Sequence, residues 1–226
     1  MILFQAGNRK YCRELAGVTL VRRNALVRGL SAIAILLAAT SVPLAADEIR
    51  IGYLRLPESR AAISLLDLPP PNDGLAGAIL AIEDNNTTGR SLDQRYVLED
   101  VKLKSRDDAA AALLALADKG MLLVIADLPP DALLKAADAG RARGVLIFNA
   151  GATGDRLREE DCRANVMHVA PTRSMLADGL AQYLVWKKWR RWLLVAGSHA
   201  NDRLYADALH RAAGGFRAKI RRERNF

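Results

Sequence analysis

Aromatic residues are scarce in this chain, at 5% of 226 positions, and cysteine and histidine are scarcer still, with two and three copies. So thin an aromatic set excludes a stacking platform for single-stranded nucleic acid. The two cysteines, Cys12 and Cys162, form no Cys-x-x-Cys pair, and no metal site is expected. His168, His199 and His210 are scattered and read as structural or solvated. The chain also has no Gly-x-Gly-x-x-Gly after its first strand, no Gly-x4-Gly-Lys-Ser/Thr, no His-Glu-x-x-His and no Gly-x-Ser-x-Gly. No catalytic residue is assigned, no cofactor is expected, and the protein is expected not to be an enzyme.

What is present points to a packed, exported α/β protein. Apolar residues make up 51% and charged residues 26%, ample for a core. The net charge of +8 belongs to the two ends: residues 1–46 carry +5, residues 217–226 carry +4, and the stretch between carries −1. With the basic charge at the termini, no nucleic-acid partner is expected.

Arg22, Arg23 and Arg28 precede the uncharged apolar run from Gly29 to Ala39, followed by Pro43 and the small pair Ala45-Ala46. Basic flank, apolar core and small-residue exit are the parts of a secretory signal peptide, read over residues 1–46. An uncleaved anchor is the alternative, although the core is shorter than the roughly 20 residues a spanning helix needs. Leu44 is large for its place before a cut after Ala46, and translation starting near Val21 or Val27 would remove the surplus ahead of the leader. Cys162 then stands alone in the mature chain, where it reads as a half-buried loop thiol.

From Ile49 strand and helix signals alternate. Strands are expected at 49–54, 96–103, 121–126, 145–148, 167–170, 192–196 and from 218. Helices are expected from an Asn72-Asp73 cap to Asn85, at 106–119, from Pro129-Pro130-Asp131 to Gly144, at 172–188 and at 204–213. The first helix would set Leu75, Ala78, Ile79 and Ile82 on one face. Met121-Leu-Leu-Val-Ile-Ala126 reads as a central parallel strand covered on both faces. Such alternation means βαβ units and a parallel sheet. In Trp186-Lys-Lys-Trp-Arg-Arg-Trp192, the basic residues suit the carboxyl end of the 172–188 helix and the tryptophans are expected to pack on the sheet.

Ligands of parallel sheets sit beyond the carboxyl ends of the strands. There the exit Asn149-Ala-Gly-Ala-Thr-Gly154 offers backbone N–H groups, a hydroxyl and two glycines, which suits an anionic group at Gly151, Ala152 and Thr153, or serves as a plain turn.

This exit, the alternation, and the later Asn201-Asp-Arg-Leu-Tyr-Ala-Asp-Ala-Leu209 resemble the type I periplasmic binding proteins, and most of all the leucine/isoleucine/valine-binding components of ABC transporters. The resemblance covers residues 49–226. It implies an α/β fold with one complete three-layer αβα lobe at 47–171 and an incomplete second lobe at 172–226. It implies ligand contacts at Gly151, Ala152, Thr153 and Tyr205, beside the Asn149 amide that the strand exit itself offers, a small-molecule ligand, an ABC permease partner in the inner membrane, a periplasmic location and a monomer. Gly52-Tyr-Leu-Arg-Leu-Pro-Glu-Ser59 and Leu66-Asp-Leu-Pro-Pro-Pro-Asn-Asp-Gly74 are similar to a subgroup associated with PQQ-dependent alcohol dehydrogenase systems, where the role would be accessory or ligand-sensing.

Two departures matter. Family members usually carry small hydroxyl residues after the third strand, where this chain has Asp127, Leu128 and two prolines. Asp127 suits a cation or a multi-hydroxyl compound better than an ordinary branched-chain amino acid, or else it caps the next helix. The chain is also short for this family, which implies a truncated second lobe with an unpaired sheet edge.

Overall fold

The computed structural model describes residues 47–57, 70 and 72–226. The leader reading at 1–46 and most of the Leu66–Gly74 stretch lie outside the described residues. Seven strands are named in chain order: β1 (Asp47–Arg55), β2 (Gln94–Lys102), β3 (Leu123–Asp127), β4 (Leu146–Asn149), β5 (Val166–His168), β6 (Arg191–Ala196) and β7 (Lys219–Asn225). Five helices alternate with them: α1 (Leu75–Gly89), α2 (Ala109–Asp118), α3 (Pro130–Arg141), α4 (Arg173–Trp186) and α5 (Ala200–Gly215). The fold is α/β, with two all-parallel sheets of order β2-β1-β3-β4-β5 and β6-β7.

In the five-stranded sheet the chain steps one way from β1 to β2 and the other way from β2 to β3 and β4. Right-handed crossovers therefore place α1 on one face and α2 with α3 on the other. The α2/α3 face is the better sealed. Leu54, Leu113, Leu116, Val124, Leu133 and Ile147 lie there, all buried within one cluster. On the opposite face α1 packs against β2, so Leu123 and Ile125 of β3 and Phe148 of β4 stay half-buried. Cover of the central strand on both faces is thus complete only on the α2/α3 side.

Several expectations change in detail. Helix α1 starts after Gly74, which takes the cap position in place of Asn72 or Asp73 and whose φ of 76° suits a residue without a Cβ. Its sheet-facing residues are Leu75, Ala78, Ile82 and Asn86, whereas Ile79 is exposed. The helix also continues through Asn85-Asn-Thr-Thr88, poor helix formers that bond back onto the structure here. Asn85 Nδ2 donates to Ala81 O and Thr87 Oγ1 to Asp84 O. Asn86 accepts from Tyr96 N at 2.7 Å and donates to Tyr96 O at 2.9 Å, which pins the helix end to β2.

In the second lobe Thr172 caps α4 by accepting from Met175 N at 3.1 Å. Helix α5 begins four residues earlier than its apolar pattern suggests, because Asp202 accepts from His199 N and closes the first turn. The basic residues from Lys219 to Arg224 form β7, paired with β6, and are no loose tail. The other edge of β6 carries no strand among the described residues. The core here is small: Ala177, Ala181, Ala208 and Ala212 are buried, with Trp192, Leu209 and Phe216 packed on them. Trp186 and Trp189 are 72% and 61% exposed, so only Trp192 of the three tryptophans packs inward. Lys187 lies 4.7 Å from the Trp186 ring centroid and keeps its charge over the indole face. Cys162 is exposed, against the half-buried expectation, because it lies in the irregular stretch leading into β5. Among the described residues no helix is long and apolar enough to cross a membrane.

Candidate functional site

The strand order reverses between β1 and β3, and it is beyond the carboxyl ends of the strands at such a switch point that open α/β sheets hold ligands. Leu56 N donates to Asp127 O at 3.1 Å and closes the two strand ends together. Asp127 ends β3 beside Tyr53 of β1, whose hydroxyl donates to Asp127 Oδ2 at 3.4 Å. Burial foremost, then the Asp127 charge, pushes the Tyr53 phenol up to about 12, so it stays a neutral donor. Helix α3 takes Pro129 as its cap, so Asp127 is not the helix cap. The Asp127 carboxylate fits because both neighbours are glycines. A Cβ at Gly151 would collide with Asp127 Oδ1, and one at Gly74 would lie 2.6 Å from the Tyr53 hydroxyl.

The β4 exit is a folded loop. Ala150 N donates to Ala126 O, which carries the sheet pairing one residue past β4. Asn149 is fully buried and closes the loop on itself: Ala152 N donates to its Oδ1 at 2.8 Å, and its Nδ2 donates to Ala152 O at 2.7 Å. The same Nδ2 lies 3.0 Å from His168 Nδ1 on β5. Since Nδ2 is a donor, Nδ1 accepts and the ring proton sits on Nε2, which is buried without a hydrogen-bond partner among the described residues. Burial, with the nearby Arg158 charge second, lowers the His168 pKa and keeps the ring neutral. Arg158 bonds the carbonyls of His168 and Ala170 and ties the β5 exit down.

Of the expected contacts, then, Asn149 and the Ala152 amide are spent holding the loop. The amides of Gly151, Thr153 and Gly154 donate to nothing among the described residues, and Thr153 keeps a half-exposed side chain. Thr153 O accepts from Arg173 N at 3.0 Å, which joins the loop to the start of α4. Asp155 makes the second link, accepting from Ser174 N at 3.2 Å. Burial alone would raise the Asp155 pKa, but bonds from Thr172 and Ser174 and the Arg173 charge outweigh it and hold the acid below its usual range.

Gly151 to Gly154 line a cleft of about 620 Å³ walled by the start of α3 on one side and by Arg173, Asn201 and Leu204 on the other. That volume lies in the range of small-molecule sites. Tyr205 stands behind this wall, 39% exposed, with the Arg173 guanidinium carbon 6.0 Å from its ring centroid. Asp127 is not among the residues lining this cleft, although its Oδ1 stands where a Cβ on Gly151 would be. Sequence reasoning missed Tyr53 and Arg173, and read His168 as structural without finding its partner. Their partners lie far away in the chain, and only the glycines at 74 and 151 signalled a close approach. No group of three or more His, Cys, Asp and Glu side chains able to hold a metal occurs among the described residues.

A family model described as periplasmic binding protein matches residues 71–223. No curated protein matches the chain in sequence. Among solved structures, an ABC transporter substrate-binding protein from Desulfitobacterium hafniense in complex with Leu superposes with a TM-score of 0.62 at 20% identity, over 80% of this chain and 51% of that one. A branched-chain amino acid ABC transporter periplasmic ligand-binding protein from Burkholderia xenovorans gives 0.63 at 18% identity, over 79% and 46%. A solute-binding protein of an ABC transporter from R. palustris, in complex with benzoate, gives 0.56 at 11% identity, over 79% and 48%. At these identities the likeness is one of fold, and the chain spans about half the length of these relatives.

Proposed function

The chain belongs to the periplasmic binding protein family, and from that premise we propose that it is the solute-binding component of an ABC-type transport system. It holds a small polar ligand between its two lobes and performs no catalysis. The ligand is delivered to a permease in the inner membrane, and the protein reaches the periplasm as a monomer through the leader read at residues 1–46, with residues 47–171 as first lobe and 172–226 as the start of the second.

One observation carries this reading: the β4 exit loop presents the unspent amides of Gly151, Thr153 and Gly154 and the Thr153 hydroxyl to a cleft between the two lobes. A small solute bound there touches both lobes, which is how a clamshell senses its ligand. In this reading Asn149 and Ala152 shape the loop, Gly151 and Thr153 bind the solute, and Tyr205 supports the opposite wall through Arg173. Asp127 stands beside the loop and accepts from the Tyr53 hydroxyl. Leucine and benzoate, the ligands named for two of the solved relatives, share a carboxylate, which suits the loop amides.

A thermal-melt survey of the protein against small carboxylates, amino acids and polyols tests the reading. A member that raises the melting temperature in proportion to the logarithm of its concentration is the expected result. A survey in which no solute stabilises the protein counts against the proposal.

A further inference from the structure

The segment Trp186-Lys-Lys-Trp-Arg-Arg-Trp192 carries four cations and no acid, and the solute-binding reading leaves it unused. In the fold it meets a second basic turn. Lys219 N donates to Arg190 O at 2.8 Å and Arg191 pairs with Lys219, so the starts of β6 and β7 lie side by side. Lys187, Lys188, Arg190, Arg191, Arg217 and Lys219 are all exposed there. None of them has a carboxylate within ion-pair distance among the described residues. Of the four acids in residues 173–226, Asp178 meets Arg211, Asp202 meets His199, Glu223 meets His210, and Asp207 stands midway along α5. Both turns also place a cation at a left-handed position, Lys188 at φ 65° and Arg217 at φ 56°, where glycine would cost less. Six unmatched cations at one end of a two-stranded sheet make an anion-seeking surface.

The cations do not stand alone. Trp186 and Trp189 are 72% and 61% exposed, and the Tyr183 ring centroid lies 6.0 Å from that of Trp186. Lys187 Nζ lies 5.8 Å from the Tyr183 centroid and 4.7 Å from the Trp186 centroid. Complementing the α4 and α5 dipoles accounts for Lys187 and Arg217, but not for two indoles left in water beside them. Indoles flanked by Lys and Arg match the headgroup level of a bilayer, where the rings reach the acyl boundary and the cations meet phosphate. Two indoles are too few for a track of stacked bases. We propose that this end of the second lobe is a peripheral docking surface for an anionic phospholipid bilayer. Strand β6 separates it from the solute: six residues, about 20 Å of strand, run from Arg191 to Ala196, beyond which Asn201 lines the cleft. Docking therefore leaves the cleft open. The inference is independent of the solute-binding reading, and where both hold it keeps the protein at the membrane that carries its permease.

Trp186, Trp189 and Trp192 are the only tryptophans in the chain, so their fluorescence reports this surface alone, whatever residues 1–46 do. The full chain is titrated with vesicles of phosphatidylcholine, and with vesicles of equal parts phosphatidylcholine and phosphatidylglycerol, each with and without bromine on the acyl chains. The mixed vesicles are expected to shift the emission to the blue, with quenching by bromine, and the neutral vesicles to bind at least about tenfold more weakly. Added salt should release the protein from the mixed vesicles. Lys187→Gln combined with Lys188→Gln and Arg190→Gln should weaken binding at least about tenfold. Arg217→Gln with Lys219→Gln removes charge from the other turn and serves if the first variant fails to fold. In Trp186→Phe with Trp189→Phe the quenching should vanish, because Trp192 packs on the alanine core. Absence of quenching, equal binding to neutral vesicles, unchanged affinity in the charge variants, or full quenching of Trp192 alone would each overturn the proposal. Duplex DNA or polyglutamate producing the same blue shift at no higher concentration than the mixed vesicles would overturn it too, and would assign the surface to a soluble polyanion.

Discussion

Asn149 shows how one buried amide can set a ligand loop without touching the ligand. Its side chain satisfies the Ala152 amide and carbonyl and faces His168, all inside a fully buried position. The pairing works only with a neutral imidazole, because a proton on Nδ1 would confront the Asn149 NH₂ group. The His168 pKa is lowered from 6.5 in the folded chain, so the unfolded chain takes up the proton first as pH falls. The stabilisation is therefore complete above about pH 6.5 and is lost as pH falls below it towards the folded value. Denaturation midpoints in urea should decline between about pH 7.5 and pH 5.5 in the wild type and decline less in His168→Gln. Parallel profiles for the two proteins would refute this role for His168. The loop itself was legible in sequence as a strand exit with two glycines. Asn149's inward turn was not, since an asparagine at a strand end looks the same whether it serves a ligand or its own backbone. Arg173 was equally hidden, because an arginine in the first turn of a helix reads as solvated.

Element by element, alternation of strand and helix signals placed the seven strands and five helices of the described residues, and the errors fall where tertiary contacts override local preference. Asn85 to Thr88 should end a helix by propensity, yet Asn86 and Tyr96 hold them helical. The tryptophans near β6 were expected to pack inward because large apolar side chains usually do. The small alanine-lined core beside β6 has room for Trp192 only. Unequal cores carry a consequence for stability. The five-stranded sheet rests on a broad sealed cluster, whereas β6 and β7 rest on four alanines and three partly buried side chains. Local opening should therefore be easier in the second lobe. Limited trypsin digestion is expected to cut first at the exposed Lys187, Lys188 and Arg190 between α4 and β6, at Arg191 where β6 begins, and within β7 at Arg221, Arg222 and Arg224. Mass analysis that finds the earliest cuts inside residues 94–168 would contradict this order.

For the whole molecule, the α/β architecture followed from periodicity alone, and residue-level likeness supplied the family that the match to residues 71–223 shows. The meeting of Tyr53 and Asp127 beside the β4 exit loop was beyond sequence, because they are 74 residues apart and come together only in the folded sheet. Export is checked by cell fractionation: the mature chain should begin near Asp47 and appear in the periplasmic fraction. Recovery of intact 1–226 in washed membranes would favour the uncleaved anchor instead. The central claim is that the β4 exit loop binds the solute, and it is tested most directly by calorimetry of the solute found in the thermal survey against wild type and Thr153→Ala. Loss of the hydroxyl should cost about 0.5–1.5 kcal/mol, rising to ~3 kcal/mol where the solute presents a charged group to it. Affinity unchanged in Thr153→Ala, with the fold intact by circular dichroism, would contradict the account.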